Sequence, residues 1–140
     1  GGEGTQGGTL TLGFNVQQLL QLDPTRISVG RVAGHLSGNQ FSALVQFDET
    51  LAIIPDLAES WEISDDGLIY TFQLREGLTF HNGDPLIAED LVYTFNRTLN
   101  PDLASPHANK LQNITSAEAV DELTFQLTFS EPFGPFLAVA

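Results

Sequence analysis

The chain has 140 residues, with 18 acidic against 5 basic side chains and a formal net charge of −13. Its hydrophobic fraction of 41% supports a packed core, and its length fits one or at most two small units. Only Glu3 and Asp23 of the acids precede residue 48, and Arg26 and Arg31 balance them, so residues 48–140 carry the whole excess. An acidic surface without a basic stripe repels phosphate groups, which argues against nucleic acids and anionic membranes as partners.

The sequence lacks the motifs that would indicate several kinds of catalytic or metal-binding site. The absence of cysteine excludes disulfides, thiolate zinc sites and cysteine nucleophiles. His35, His81 and His107 are far apart, and Asn82-Gly83 explains the string from His81 to Asp84 as a turn. No serine-hydrolase, phosphate-loop or dinucleotide motif is present. The sequence therefore predicts no catalytic residue, no metal site and no cofactor.

The first 40 residues divide into three stretches. Residues 1–8 include five glycines and read as a flexible stub, either the remnant of a removed leader or a cloning remnant. Thr9–Phe14 alternates apolar and polar side chains, which predicts a short half-buried strand. Residues 15–40 are rich in Gly and Ser, with a turn at Asp23-Pro24. A connection of this length is usually functional or disordered.

The next segment predicts a short element followed by a meander. Residues 41–47 are interpreted as the end of a short helix running into Asp48. Alternation then predicts strands around residues 61–63 and 70–74, joined by the turn sequence at 64–67. Further turns at Glu76-Gly77 and Asn82-Gly83 lead to the prediction of a small antiparallel meander.

The last third predicts one helix, one strong strand and an apolar end. Ala88–Leu99 has helical spacing, and residues 123–129 alternate as a strand. Residues 41–129 are thus predicted to form an α+β unit. At the end, helical spacing relates Phe133, Phe136, Leu137 and Ala140. Two interpretations stand: a fragment whose apolar helix face is covered by a larger protein, or a final helix packed into a local core.

A long ordered set of motifs carries a family resemblance. Its central pieces are PDLAESWEISDDG (55–67), YTFQLREG (70–77), FHNG (80–83) and AEDL (88–91). Flanking pieces agree with it, namely LDP (22–24), LVQFD (44–48), Ser105-Pro106 and EPFGPFL (131–137). The chain resembles the family 5 extracytoplasmic solute-binding proteins, the oligopeptide-, dipeptide- and nickel-binding components of ABC importers.

The resemblance implies a fold and a role. The fold is an N-terminal fragment of a periplasmic-binding-protein-like (type II) α/β protein, because family members are several times longer. Residues 9–40 begin the large lobe and its cleft loop, residues 41–131 form a small antiparallel α+β subdomain, and residues 132–140 start the return to the large lobe. The whole protein is expected to be a non-enzymatic, monomeric receptor outside the cytoplasmic membrane. It is expected to be periplasmic or extracellular, with a lipid anchor left open, and to deliver a peptide or similar small solute to an ABC permease.

The same resemblance selects candidate ligand-binding residues. Ser28, Val29, Gly30 and Arg31 align with the early loop that lines the cleft, where Gly30 lets backbone approach a solute and Arg31 can pair with a carboxylate. Arg31 as an ordinary solvated base remains an open alternative. His107 and Lys110 fall where peptide-binding relatives often place aromatic contacts, so a peptide specificity like theirs is in question.

One departure from the family pattern concerns a helix start. Members commonly have Thr or Ser before the Ala-Glu-Asp, whereas this chain has Ile87. The missing side-chain cap is expected to cost about 1 kcal/mol of helix stability.

A second class of function also fits the composition. A free-standing interaction module whose acidic face binds a basic partner is the alternative to the solute receptor, and an enzyme using the unpaired histidines comes third.

Overall fold

The computed structural model describes Asp23 and residues 41–138. The strands are β1 (Val45–Phe47), β2 (Ile53–Pro55), β3 (Ala58–Ile63), β4 (Ile69–Leu74), β5 (Ile114–Ala119) and β6 (Thr124–Phe129). The helices are α1 (Ala88–Leu99) and α2 (Ala108–Leu111), with 3-10 turns at Pro101–Leu103 and Gly134–Ala138.

A four-stranded antiparallel sheet in the order β3-β4-β6-β5 organises these elements. The register places Trp61 opposite Phe72 and Phe72 opposite Phe125. Since side chains alternate between the faces of a strand, β4 and β6 direct every second residue to one side. These inward residues, all buried, are Tyr70, Phe72, Leu74, Phe125, Leu127 and Phe129.

Helix α1 covers the apolar face of the sheet. It packs against β5 and β6, with Leu91 buried and Phe95 close to Phe125 at a ring-centroid distance of 5.3 Å. Phe136 enters the same core from the final 3-10 turn, with ring centroids 5.3 Å from Tyr70 and 5.0 Å from Phe129. The buried layer is therefore mainly aromatic.

The opposite face of the sheet is polar. Gln126 donates to the Thr71 hydroxyl at 3.1 Å, and the Thr124 hydroxyl donates to Oε1 of Gln73 at 3.2 Å. These pairs lie between β4 and β6, so they add side-chain hydrogen bonds to the backbone ladder.

The turn between β3 and β4 forms as its sequence predicts. Gly67 has a φ of +71°, which a glycine adopts without steric penalty. The Asp66 carboxylate accepts hydrogen bonds from the Ser64 hydroxyl at 2.6 Å and the Leu68 N–H at 3.0 Å. These bonds favour the ionised form and lower the pKa of Asp66 from 3.8, the Ser64 contact contributing most.

Other donors and acceptors replace the missing cap at the start of α1. Ile87 has no side-chain acceptor, but the Asp90 carboxylate accepts the Ile87 N–H at 3.0 Å. The Ala88 N–H donates to the carbonyl of Glu122, in the β5–β6 turn, at 2.9 Å. The helix covers the full predicted span Ala88–Leu99, so Ile87 does not shorten it.

Two predictions about local structure are wrong. Residues 41–47 do not end a helix: Val45–Phe47 is strand β1, because it pairs with β2 in register Gln46 to Ile54. The meander also does not continue past β4, because the next segment forms only an isolated bridge between Thr79 and Pro85. The strand that pairs with the other edge of β4 is β6, from much later in the chain.

The segment after β6 forms a 3-10 turn rather than an α-helix over the described residues. Its Phe136 is fully buried and its Leu137 partly buried, so these side chains pack against the core of the described residues. The predicted strand Thr9–Phe14 and Ala140 lie outside the described residues. Within the described part of the chain, no helix has the length and apolar character needed to cross a bilayer.

Candidate functional site

His107 and Lys110 are the two predicted ligand-binding residues within the described structure. The turn at Ser105-Pro106 leads into α2, and the buried Ser105 accepts the His107 N–H on its hydroxyl at 3.2 Å. The Lys110 N–H donates to the His107 carbonyl at 2.9 Å. The structure therefore brings both residues into one helical turn, with His107 half-buried and Lys110 exposed.

Helix α2 is anchored on the main core. It lies against α1, and its Leu111 packs against the buried cluster. The helix is one turn long and continues into β5, which pairs along β6. The backbone that carries His107 and Lys110 is thus supported by the sheet. Ser28, Val29, Gly30 and Arg31 lie outside the described residues.

A second cluster of polar side chains lies around the C-terminal end of α1. Arg97 forms an ion pair with Asp23, from its terminal NH2 group to the Asp23 carboxylate at 2.5 Å. The hydrogen bond to Asp23 is the largest cause of a raised pKa for Arg97, and a hydrogen bond with Tyr93 is the next. Both contacts favour the charged guanidinium.

An open hollow of about 450 Å³ lies at this end of the helix. Its described lining consists of Tyr93, Asn96, Arg97, Asn100, Asp102 and Leu103. Asn100 also ends α1 and accepts the Asp102 N–H at 2.9 Å, which shapes the following 3-10 turn. The hollow offers phenol, amide and guanidinium groups, which suit hydrogen bonding to a polar ligand or chain segment.

Sequence reasoning missed the Asp23–Arg97 contact. The pair Asp23-Pro24 predicts a turn, and the helical spacing of residues 88–99 places Arg97 in the predicted helix. The two are 74 residues apart, so no local spacing relates them. The only signal is a basic residue in the last turn of a helix, where the dipole already favours positive charge.

The other described side chains that could bind a ligand or a metal ion are explained by packing or by turn formation. Trp61 is half-buried and packs against the core cluster. His81 is exposed in the turn that contains Gly83, whose φ is +90°. Among the described residues, no three His, Asp or Glu side chains lie close enough to hold a metal ion, and each buried polar side-chain atom has a hydrogen-bond partner.

Comparison with known proteins identifies the family. The profile of "Bacterial extracellular solute-binding proteins, family 5 Middle" matches residues 52–140, which include the main sheet and α1. The chain belongs to this family. The recognition made from the motifs at 55–91 is thereby confirmed.

Individual relatives agree in sequence. The chain is 36% identical over 134 residues to Di/tripeptide-binding protein 2 of Pseudomonas aeruginosa, with 83% of this chain and 25% of that protein covered. It is 37% identical over 97 residues to the glutathione-binding protein GsiB of Pectobacterium atrosepticum, with 69% and 19% covered. The chain thus spans about a quarter or less of these curated relatives.

A solved structure agrees in fold. NikZ from Campylobacter jejuni in complex with Ni(L-His) superposes with a TM-score of 0.78 at 30% identity, over 87% of this chain and 24% of NikZ. The predicted fold class, a small antiparallel subdomain of a periplasmic-binding-protein-like protein, is confirmed. Membership of a solute-binding family does not favour the alternative of a free-standing acidic module.

Proposed function

We propose that the complete protein is the solute-binding component of an ABC importer. It captures a peptide or a similar small solute in a cleft between two lobes and presents the closed complex to a membrane permease. The observation that carries this proposal is family membership across residues 52–140. Since the chain spans only about a quarter of its relatives, the cleft and the permease contact are assigned to the complete protein.

The relatives suggest the chemistry of the solute. The similar proteins are named for binding di- and tripeptides and glutathione, and one is solved with a nickel complex of L-histidine bound. All of these are built from amino acids and carry carboxylate groups. We propose a solute of the same class, because a guanidinium can bind a carboxylate through two parallel hydrogen bonds.

Residues of this chain would form one wall of the cleft. Ser28, Val29 and Gly30 would present backbone and small side chains, and Arg31 would pair with the carboxylate. His107, at the start of α2, and Lys110, which is exposed on that helix, would contact the solute. Neither residue is aromatic, so hydrogen bonding and charge would replace stacking at this place.

The arrangement of domains follows from the same proposal. Residues 9–40 would begin the large lobe, residues 41–131 would form the small subdomain packed on it, and residues 132–140 would begin the return. Phe47 and Ile53, on the β1–β2 hairpin, are large apolar side chains that are partly exposed in the described structure. An apolar surface of this kind supports packing of the subdomain against another part of the protein.

The family description places its members outside the cell. We propose that this protein acts as a monomer on the outer side of the cytoplasmic membrane, without enzymatic activity, and that a lipid anchor holds it there.

Calorimetry with the complete protein tests the proposal. The titrants are a panel of di- and tripeptides, reduced glutathione and Ni(L-His). We expect tight binding of at least one, and Arg31→Gln is expected to weaken it about tenfold or more, because a charged hydrogen bond is lost. Arg75→Gln is the matched control, since Arg75 donates to the Pro55 carbonyl far along the chain from residue 31. Failure of the whole panel, or equally tight binding by the 140-residue chain alone, would contradict the proposal.

A further inference from the structure

The turn between β4 and α1 contains the one asparagine of the sequence that is followed by glycine. Asn82 and Gly83 are both exposed, and the Gly83 N–H closes the turn by donating to the Phe80 carbonyl at 2.9 Å. Gly83 has a φ of +90°, and a Cβ built on it would meet nothing within 4 Å. The space beside the peptide bond that joins Asn82 to Gly83 is therefore open to solvent.

The side-chain amide of Asn82 is held at both of its polar atoms by Asp84. Its Oδ1 accepts the Asp84 N–H at 3.1 Å, and its Nδ2 donates to the Asp84 carboxylate at 2.6 Å. The first bond would stabilise negative charge on Oδ1 if a nucleophile attacked Cγ of Asn82. The second bond must break before Nδ2 can leave. The backbone of Asp84 thus favours attack on this amide, whereas its side chain retards the departure of the amide nitrogen.

We propose that Asn82 is a site of spontaneous covalent modification, at which the Gly83 backbone nitrogen displaces the side-chain nitrogen. The Gly83 nitrogen bonds to Cγ of Asn82 and closes a five-membered succinimide ring, and glycine has no side chain to block this approach. The bond from Cγ to Nδ2 breaks, and Nδ2 leaves as ammonia with the hydrogen that the Gly83 nitrogen carried. Water then opens the ring at either carbonyl, which leaves aspartate or isoaspartate at position 82. Nothing is oxidised or reduced.

Two other asparagines of the described structure show why the following residue matters. The Asn113 amide also donates to a carboxylate, that of Glu131 at 3.0 Å. The residue after it is Ile114, which is buried and β-branched, so its side chain crowds the backbone nitrogen. Asn100 precedes Pro101, whose nitrogen carries no hydrogen to give to the departing ammonia. Asn113 is therefore a natural control that has the carboxylate partner but lacks the glycine.

The modification would change the turn that leads into α1. The new carboxylate lacks the donor that binds Asp84 and adds one negative charge to a chain that already carries −13. Isoaspartate also lengthens the backbone by one carbon. The hydrogen bond from the Phe80 N–H to the Asp84 carbonyl at 2.9 Å and the bridge between Thr79 and Pro85 would then lose their geometry. The connection from the sheet to the helix is thereby loosened at exposed residues.

Mass spectrometry of the complete protein, aged at mildly alkaline pH, tests the proposal. Trypsin releases residues 76–97 as one peptide, and we expect its mass to rise by about 1 Da, with fragmentation placing the change at Asn82. The change is expected to accumulate on the order of tenfold faster than at Asn113. Asn82→Gln is expected to abolish it, because the ring would need six atoms. No mass increase at Asn82, or a rate no higher than at Asn113, would overturn the proposal.

A pair of variants tests the retarding role of the Asp84 carboxylate. Asp84→Ala keeps the backbone N–H but removes the acceptor of Nδ2, and it is expected to speed the modification about fivefold. Glu76→Ala is the matched control, because it removes an exposed carboxylate from the neighbouring turn, and it is expected to leave the rate unchanged. In urea the difference between the two variants is expected to shrink, because the turn hydrogen bonds are lost. Equal rates of the two variants in the folded protein would overturn the role given to Asp84.

Discussion

Two regions of this subdomain are held together by different interactions. The sheet face under α1 buries Phe72, Phe125 and Phe136 completely, so apolar burial stabilises it. The β1–β2 hairpin has three-residue strands and leaves Phe47 48% and Leu51 78% exposed. One region has a core of its own, whereas the other attaches to that core through Leu44 and Val45 and is held at its turn by local hydrogen bonds. The difference shows that one short chain combines a well-packed scaffold with an attachment that is weakly stabilised.

A carboxylate holds the hairpin turn. Asp48 accepts hydrogen bonds from the Thr50 N–H at 2.8 Å, the Thr50 hydroxyl at 2.7 Å and the Ala52 N–H at 2.9 Å. Between these residues Leu51 has a φ of +65°, a left-handed conformation that is uncommon for a residue with a side chain. The turn therefore keeps a strained residue in place by polar contacts alone.

The largest predicted effect is the difference in stability loss between two phenylalanine substitutions. Phe72→Ala removes a fully buried ring on the central strand β4, 6.3 Å from both Phe125 and Phe136, and is expected to lower the free energy of unfolding by about 3–5 kcal/mol. Phe47→Ala is expected to cost less than about 1 kcal/mol, because its ring is already half exposed. Urea denaturation of the 140-residue chain measures both, and equal losses would contradict the comparison. Phe72→Leu gives a milder change if Phe72→Ala does not fold.

A pair of glycines sharpens the comparison within the sheet region. Gly67 and Gly77 have nearly equal φ values of +71° and +73°, but a Cβ on Gly67 would lie 3.3 Å from Cβ of Pro132, whereas one on Gly77 meets nothing within 4 Å. Gly77→Ala is expected to cost about 1–2 kcal/mol from backbone strain alone. Gly67→Ala is expected to cost more stability than Gly77→Ala, because Pro132 must also move to make room for the new Cβ. Unfolding midpoints of the two variants measure the difference, and a Gly77→Ala that is the less stable would refute the steric argument.

The start of α1 gives a smaller effect. Asp90→Ala removes the acceptor of the Ile87 N–H and is expected to cost about 1 kcal/mol. Glu89→Ala is the matched control, because Glu89 is an exposed acid in the same first turn. Both variants lose one negative charge near the helix N-terminus, so their difference isolates the hydrogen bond. Equal thermal midpoints would show that the Glu122 carbonyl is sufficient to cap the helix.

The sequence predicts the well-packed region better than the hairpin. Strands β4 and β6 and helix α1 each repeat their apolar pattern several times, so local periodicity identifies them, whereas β3 alternates only across Trp61 and Ile63. Strand β5 (ITSAEA) has no such pattern and is defined by its pairing with β6. Strands β1 and β2 have three residues each, too few to show an alternating pattern. Each is defined by its pairing with the other.

The candidate site is likewise only partly predictable from the sequence. The resemblance selects His107 and Lys110, and the Ser105 hydroxyl, which accepts the His107 N–H, shapes the turn that precedes α2. The pairing of Asp23 with Arg97 depends on the three-dimensional fold, because it joins residues 74 positions apart. Long-range contacts of this kind have no signature in a single sequence.

The smallest predicted effect concerns acid and returns to the hairpin. Hydrogen bonds from Thr50 and Ala52 to the ionised carboxylate, the Thr50 hydroxyl first, lower the pKa of Asp48 from its usual 3.8. A carboxyl whose pKa is lower in the folded state contributes stability that is complete above the unfolded value and is lost as pH falls through the folded value. The stabilisation by Asp48 is therefore expected to be intact above about pH 4 and to disappear below it.

NMR titration of the Thr50 and Ala52 amide signals measures this transition in the 140-residue chain. Their midpoint is expected below 3.8, and Asp48→Asn is expected to abolish it. Asp66 and Asp121 are internal controls, since turn hydrogen bonds also lower their pKa values, by Ser64 and by the Leu123 N–H respectively. Their turns join strands of the packed sheet, so the sheet amides around them should keep native shifts through their titration. The hairpin should lose native shifts around its turn when Asp48 is protonated, because the carboxylate accepts the hydrogen bonds that order this turn. Native hairpin shifts that persist below the midpoint would mean that burial of Leu44 and Val45, rather than the carboxylate, stabilises this region.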